Sequence, residues 1–341
     1  MKQNAPRQTN RPTALDAAQA GVEETAARLA RRPWPATPIR PDINVSFEFF
    51  PPASPEGETT LARCAAQLAP LSPRFVSVTY GAGGTTQDRT ASAVRRLATE
   101  TDLAVAGHLT CVGATRDQVA VVVDNYIATG VRHIVALRGD APAGLDDGSV
   151  PGGYRDAAEL VAGIRRHLDG TPAADLEISV GCYPEVHPKA ESPRADLDNL
   201  KRKLDAGADR AISQFFFDTD VFLRFLDRAR AAGITAPIVP GIMPITSFSN
   251  ICRFSERCGT EIPEWMHDLF AGLDDAPDVH QLVAATVAAE QCRRLAEHGV
   301  NQFHFYTMNR PELTLATCRI LGVRPDSNAA AVAPAAEAQA S

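Results

Sequence analysis

The chain has 341 residues, of which 45% are hydrophobic and 22% charged, enough apolar material for one large barrel or two ordinary domains. A net charge of −7 and a pI near 5.7 leave no basic footprint for nucleic acid. No apolar run approaches the roughly 18 residues that a membrane span needs.

Residues 1–42 form an N-terminal extension. Positions 1–12 are polar and expected to be disordered. A helical pattern near 13–32 follows, and Pro33, Pro35, Pro38 and Pro41 break it. The start also lacks the apolar stretch of a secretory signal, so the cytoplasm is the expected compartment. From 43 to 324 two periods alternate. Short runs rich in Val, Ile and Phe lie near 43–50, 74–80, 103–110, 132–138, 176–183, 210–217, 236–242 and 302–306. Helical patterns lie near 57–69, 87–99, 115–129, 154–168, 196–206, 219–232, 247–257, 278–298 and 311–321. Gly130, Gly207, Gly233 and Gly299 each close a helix before a strand begins. Eight strands joined by helices predict an α/β chain folded as a (β/α)8 TIM barrel, with an extra N-terminal helix and additional helical material within 259–298 before the last strand. Residues 325–341 are an Ala-rich tail, expected to be disordered. The cysteines at 64, 111, 182, 252, 258, 292 and 318 are odd in number and lack a C-x-x-C pair. They predict neither a disulfide framework nor a metal site, and read as buried small hydrophobes.

The segment Val45-Ser46-Phe47-Glu48-Phe49-Phe50-Pro51-Pro52 places one carboxylate in an aromatic strand that stops at a double proline. The flanking Phe47, Phe49 and Phe50 are expected to raise the Glu48 pKa and make it a proton donor, the alternative being a partly exposed edge residue. In a TIM barrel the C-terminal strand ends share one pocket. Here they carry Thr79-Tyr80 before Gly81-Ala82-Gly83-Gly84, His108, Arg138-Gly139-Asp140, Tyr183 through His187, Gln214, Met243-Pro244, and Tyr306 before Asn309-Arg310. Such a mixture of aromatic, amide, imidazole and single charged groups suits a large conjugated ligand. Asp196, Asn199, Arg202 and Lys203 fall on one face of the helix at 196–206, a pattern that a merely solvated face would also give.

The motifs VSFEFFPP, FVSVTYGAGG, HLTC, RHIVALRGD, YPEVHP, DNLKRKLDAGADRAISQFFFD, PGIMPI and FHFYTMNR, spread over residues 43–324, resemble the methylenetetrahydrofolate reductase family in its bacterial form, with the catalytic domain only. The resemblance implies non-covalent FAD, reduced by NADH or NADPH and reoxidised by 5,10-methylenetetrahydrofolate to give 5-methyltetrahydrofolate. It assigns Thr79, Tyr80, His108, Arg138, Gly139, Asp140, Tyr183, His187, Asp196, Asn199, Arg202 and Lys203 to the flavin. Asp140 is also expected to tune catalysis, with a helix cap or a pair with Arg138 as its alternative role. Gln214, Phe254, Tyr306 and Arg310 are assigned to the substrate, with Glu48 as the acid. His133 reads as a packed structural histidine, the three phenylalanines at 215–217 as core, and the glycine loop as an approach to the cofactor or a plain turn. Gly107 before His108 is a departure from the family pattern.

The acid has a definite task, because the methylene bridge accepts hydride only after its ring opens on protonation of N10. Sharing one pocket between nicotinamide and folate implies a ping-pong cycle. Partners are expected to be these small molecules and further copies of the chain in a homo-oligomer. A Schiff-base aldolase would need a strand-end lysine, and Lys2, Lys189, Lys201 and Lys203 all lie outside strands. The competing readings are another FAD barrel of the proline-dehydrogenase kind, a folate-binding methyltransferase barrel, or a non-catalytic flavin- or folate-binding barrel.

Overall fold

The computed structural model describes residues 43–80, 87–140 and 150–325. The expected helix at 13–32, the glycine loop at 81–84 and the Ala-rich tail after 325 lie outside them. Eight parallel strands close into a barrel in sequence order. They are β1 (Asn44–Phe49), β2 (Val76–Val78), β3 (Val105–Thr110), β4 (His133–Leu137), β5 (Glu177–Cys182), β6 (Arg210–Phe215), β7 (Ile238–Ile242) and β8 (Gln302–Tyr306). Around them run α1 (Pro55–Leu68), α2 (Gln87–Glu100), α3 (Arg116–Ala128), α4 (Ala157–Leu168), α5 (Pro193–Asp205), α6 (Thr219–Ala231), α7 (Phe248–Cys258), α8 (Glu264–Phe270), α9 (Pro277–Glu297) and α10 (Pro311–Ile320). The additional helical segment resolves into α8, a short 3-10 turn at Leu273–Asp275 and α9. Among the described residues no helix is long and apolar enough to cross a membrane.

Local chemistry sets the helix starts. Ser54 and Ser192 cap α1 and α5, each followed by proline at the first helical position, and Thr115 with Gln118 forms a reciprocal capping box on α3. The cap at Ser192 starts α5 three residues before the 196 read from the hydrophobic pattern, which is blind to polar first turns. Strand period separates two cores. Phe47, Phe49, Phe303 and Phe305 point outward and are fully buried under the helices, whereas Phe75, Ala106, Val135 and Ile212 pack inside the barrel. Toward the barrel floor Arg210 pairs with Glu177, and His133 Nε2 lies 2.7 Å from Ser179 Oγ, the packed role expected of this histidine. Phe215, Phe216 and Phe217 are buried, as expected of core residues. Five cysteines are buried, but Cys252 and Cys258 are only half-buried because α7 lies at the rim.

Gly107 has a packing reason. A Cβ there would stand 2.5 Å from the ring of Tyr126, whose hydroxyl donates to His108 O at 3.0 Å. The glycine therefore admits a ring that steadies β3 at His108.

Candidate active site

Ser46 and Glu48 share the inner face of β1, and His304 and Tyr306 share the inner face of β8. The strand register sets Ser46 beside His304 and Glu48 beside Tyr306. Glu48 Oε2 lies 3.3 Å from His108 Nε2 and 3.4 Å from His304 Nε2, with the Glu48 side chain only 14% exposed. The His304 contact is a hydrogen bond; the His108 contact is an ion-pair approach without hydrogen-bond alignment. On the far side of the ring, Ser46 Oγ lies 2.8 Å from His304 Nδ1. When that hydroxyl donates to Nδ1, the ring proton sits on Nε2 and faces the carboxylate.

This arrangement corrects the expected pKa of Glu48. Burial does raise it, but the charge and contact of His108, followed by those of His304, outweigh burial and lower it to about 2. The expectation failed on geometry. Phe47 and Phe49 alternate to the outer face, and Phe50 is 40% exposed, so none of the three surrounds the carboxyl.

A cleft of about 570 Å³ opens beside the ends of β4 and β5. Its walls include Arg138, Gly139, Asp140, Tyr183 and His187, together with Asp196, Asn199, Arg202 and Lys203 of α5. The four α5 residues do share a face, and that face lines a cavity. Lys203 is buried and donates to Gly181 O at 2.5 Å, with burial pulling its pKa below the usual lysine range. Arg202 donates to both Asn199 Oδ1, at 2.8 Å, and Asp156 Oδ2, at 3.1 Å from each terminal nitrogen. Asp156 is also the cap of α4, a position the sequence reading left open to Asp140. Asp140 itself is exposed at the cleft. Asp196 accepts from His187 N at 3.0 Å, and the His187 ring meets Tyr183 edge-on at 4.5 Å. Burial pushes the Tyr183 phenol up to about 12, keeping it a neutral donor.

The remaining expected residues divide by position. Thr79 and Tyr80 are half-buried after β2, Thr79 N donating to Phe49 O at 2.9 Å. His108 lies inside the barrel against Glu48. Gln214 Oε1 accepts from Phe215 N at 3.0 Å, Phe254 stacks on Phe215 at 5.4 Å, and Tyr306 donates to Ser213 O at 2.7 Å. Arg310 is exposed at the start of α10. Ser46, His304 and Asp156 escaped the sequence reading. The first two were legible as partners two residues from Glu48 and Tyr306 on the same strand faces.

The family profile for methylenetetrahydrofolate reductase matches residues 37–322. The chain belongs to that family. It is 48% identical to the 5,10-methylenetetrahydrofolate reductase of Salmonella typhimurium over 287 residues, 84% of this chain and 93% of the relative. It is 47% identical to that of Escherichia coli over the same shares. Against methylenetetrahydrofolate reductase (NADH) 1 of Arabidopsis thaliana the identity is 35%, over 83% of this chain but 49% of the plant protein. An uncharacterised Clostridium thermocellum protein whose structure binds two copies of 5-methyl-5,6,7,8-tetrahydrofolic acid shares the fold. It has a TM-score of 0.55 at 14% identity, covering 82% of this chain and 94% of that one. Methylenetetrahydrofolate reductases are oxidoreductases of one-carbon folate metabolism, here on a TIM barrel.

Proposed function

We propose that the protein reduces 5,10-methylenetetrahydrofolate to 5-methyltetrahydrofolate in a ping-pong cycle with NADH or NADPH, using FAD held in the cleft beside α5. The observation that carries this reading is the Glu48 carboxylate inside the barrel between two imidazoles, at the same end of the strands as a cleft whose lining mixes Arg138, Lys189, Arg202 and Lys203 with carboxylates. The cleft residues fit the cofactor. Arg202 and the buried Lys203 suit a diphosphate, Asn199 and Asp196 suit hydroxyl groups, and the Tyr183–His187 pair offers ring surface. Bound there, FAD would supply hydride transfer between the nicotinamide and the folate. The exposure of Asp140 at the cleft supports a role for it in setting the electrostatics of that group, and Gln214, Phe254, Tyr306 and Arg310 are the residues proposed to hold the substrate.

The resting carboxylate, its pKa lowered to about 2, is ionised and must take up a proton before it can give one to N10. Substrate covering Glu48 removes water from it and favours its neutral form. Glu48 then delivers that proton to N10 as the ring opens. Tyr306, kept neutral by burial and donating to Ser213 O, walls the site without competing for the proton.

The purified protein should carry an oxidised flavin spectrum, which NADH or NADPH bleaches anaerobically and methylenetetrahydrofolate then restores. A colourless protein that binds folate would point instead to the methyltransferase or carrier reading. A bleached flavin that folate leaves reduced would point to a different barrel oxidoreductase.

A further inference from the structure

The loop leaving β8 holds two consecutive non-glycine residues in the left-handed region, Met308 and Asn309, both at φ 54°. L side chains avoid this region, although asparagine tolerates it better than most. The Asn309 carboxamide supplies a reason for the conformation to persist. Its Oδ1 accepts from Phe50 N at 2.9 Å, and its Nδ2 donates to Phe50 O at 3.0 Å. One side chain thus satisfies both main-chain groups of a residue 259 positions away, as an adjacent strand would. The next two residues, Pro51 and Pro52, have no N–H and cannot extend a ladder there. Thr307 completes the junction: its N and Oγ1 donate to Glu48 O at 3.2 and 2.7 Å, and its Oγ1 accepts from Asn309 N at 3.2 Å. Arg310 N donates back to Thr307 O at 2.8 Å.

We propose that Asn309 is a positioning residue for folate, a latch joining the strand end that carries Glu48 to the loop between Tyr306 and Arg310. The proposal rests on the function proposed above. A folate engaged by Glu48 at one end and Arg310 at the other spans the junction that Asn309 closes. The latch lies at the β1–β8 seam and lines no part of the α5 cleft. Its loss should therefore spare FAD binding and fall more heavily on the folate half-reaction, the one that needs Glu48 and Arg310.

Two substitutions separate the latch from the backbone conformation. Asn309→Gly accepts φ 54° freely but removes both bonds, and Asn309→Asp keeps the acceptor while facing a carboxylate toward Phe50 O. In each, kcat/KM for methylenetetrahydrofolate is expected to fall at least tenfold, mostly through KM. Nicotinamide oxidation with a quinone acceptor should change less than twofold, and exchange of the Phe50 amide hydrogen should accelerate at least tenfold. Asn309→Gly with folate kinetics within twofold of the parent would overturn the proposal, as would equal loss in both half-reactions. Should the unsubstituted protein itself fail to transfer electrons to folate, the enzyme reading fails. Unchanged Phe50 exchange in Asn309→Gly would separately overturn the latch.

Discussion

Glu48 is an acid whose surroundings keep it ionised, which makes its two states separable by experiment. Glu48→Gln should retain nicotinamide oxidation within a few-fold and lose the folate half-reaction by at least about 100-fold, the usual scale for a lost general acid. Rapid-mixing of each half-reaction measures both, and comparable losses would assign Glu48 to structure alone. The same residue predicts a pH effect. Its folded pKa, near 2, lies below the unfolded value of about 4.3. The ionised group thus contributes stability that is fully present above about pH 4.3 and lost as pH falls toward 2. Urea titrations across this window should show a steeper acid loss in the parent than in Glu48→Gln, by up to about 3 kcal/mol. Parallel curves would mean that the imidazoles do not hold the carboxylate as described.

Helix α5 turns sequence periodicity into one wall of a cleft. Arg202→Ala with Lys203→Ala should weaken FAD binding at least tenfold and lower the melting temperature, with excess FAD restoring part of the loss by mass action. The salt dependence of FAD affinity should shrink with the two charges. Lys201→Ala is the control, because Lys201 pairs with Asp205 on the exposed side of the same helix. Unchanged affinity in the double variant would leave the cleft without its diphosphate site. The offsets of Asp196, Asn199, Arg202 and Lys203 were readable in advance because helical period fixes which residues share a face. That Arg202 would be shared with Asp156 was not readable, since the partner lies on another helix and no local pattern links the two. Likewise Glu48 was legible as unusual, but its imidazole neighbours come from β3 and β8, and sequence neighbours misled because a strand sends them to the opposite side.

In the whole barrel, order and closure followed from alternating periods, and the eight strands fall where their apolar runs do. Helix α9 falls where the pattern near 278–298 put it, whereas α8 and the 3-10 turn before it were read only as additional helical material, because such short elements carry little periodicity. The two cores predict a division of labour. Phe305 is fully buried outside the strands, its ring 6.2 Å from that of Phe47. Phe305→Ala should lower unfolding free energy by about 3–5 kcal/mol. Because the ring faces away from Glu48, KM for folate measured well below the new melting point should stay within threefold. Denaturant titration and steady-state kinetics on one preparation check both, and a large rise in KM with little loss of stability would show that the outer core does not act as a separate layer.

The closing seam places His304 against a carboxylate 256 residues earlier in the chain. Such distant pairings form late, since the intervening polymer must be ordered before its ends gain by meeting. During synthesis and refolding alike, the cluster of Glu48, His108 and His304 is therefore complete only when the final strand docks. Recovery of folate-dependent turnover cannot precede docking of β8, which brings the second of Glu48's two imidazoles.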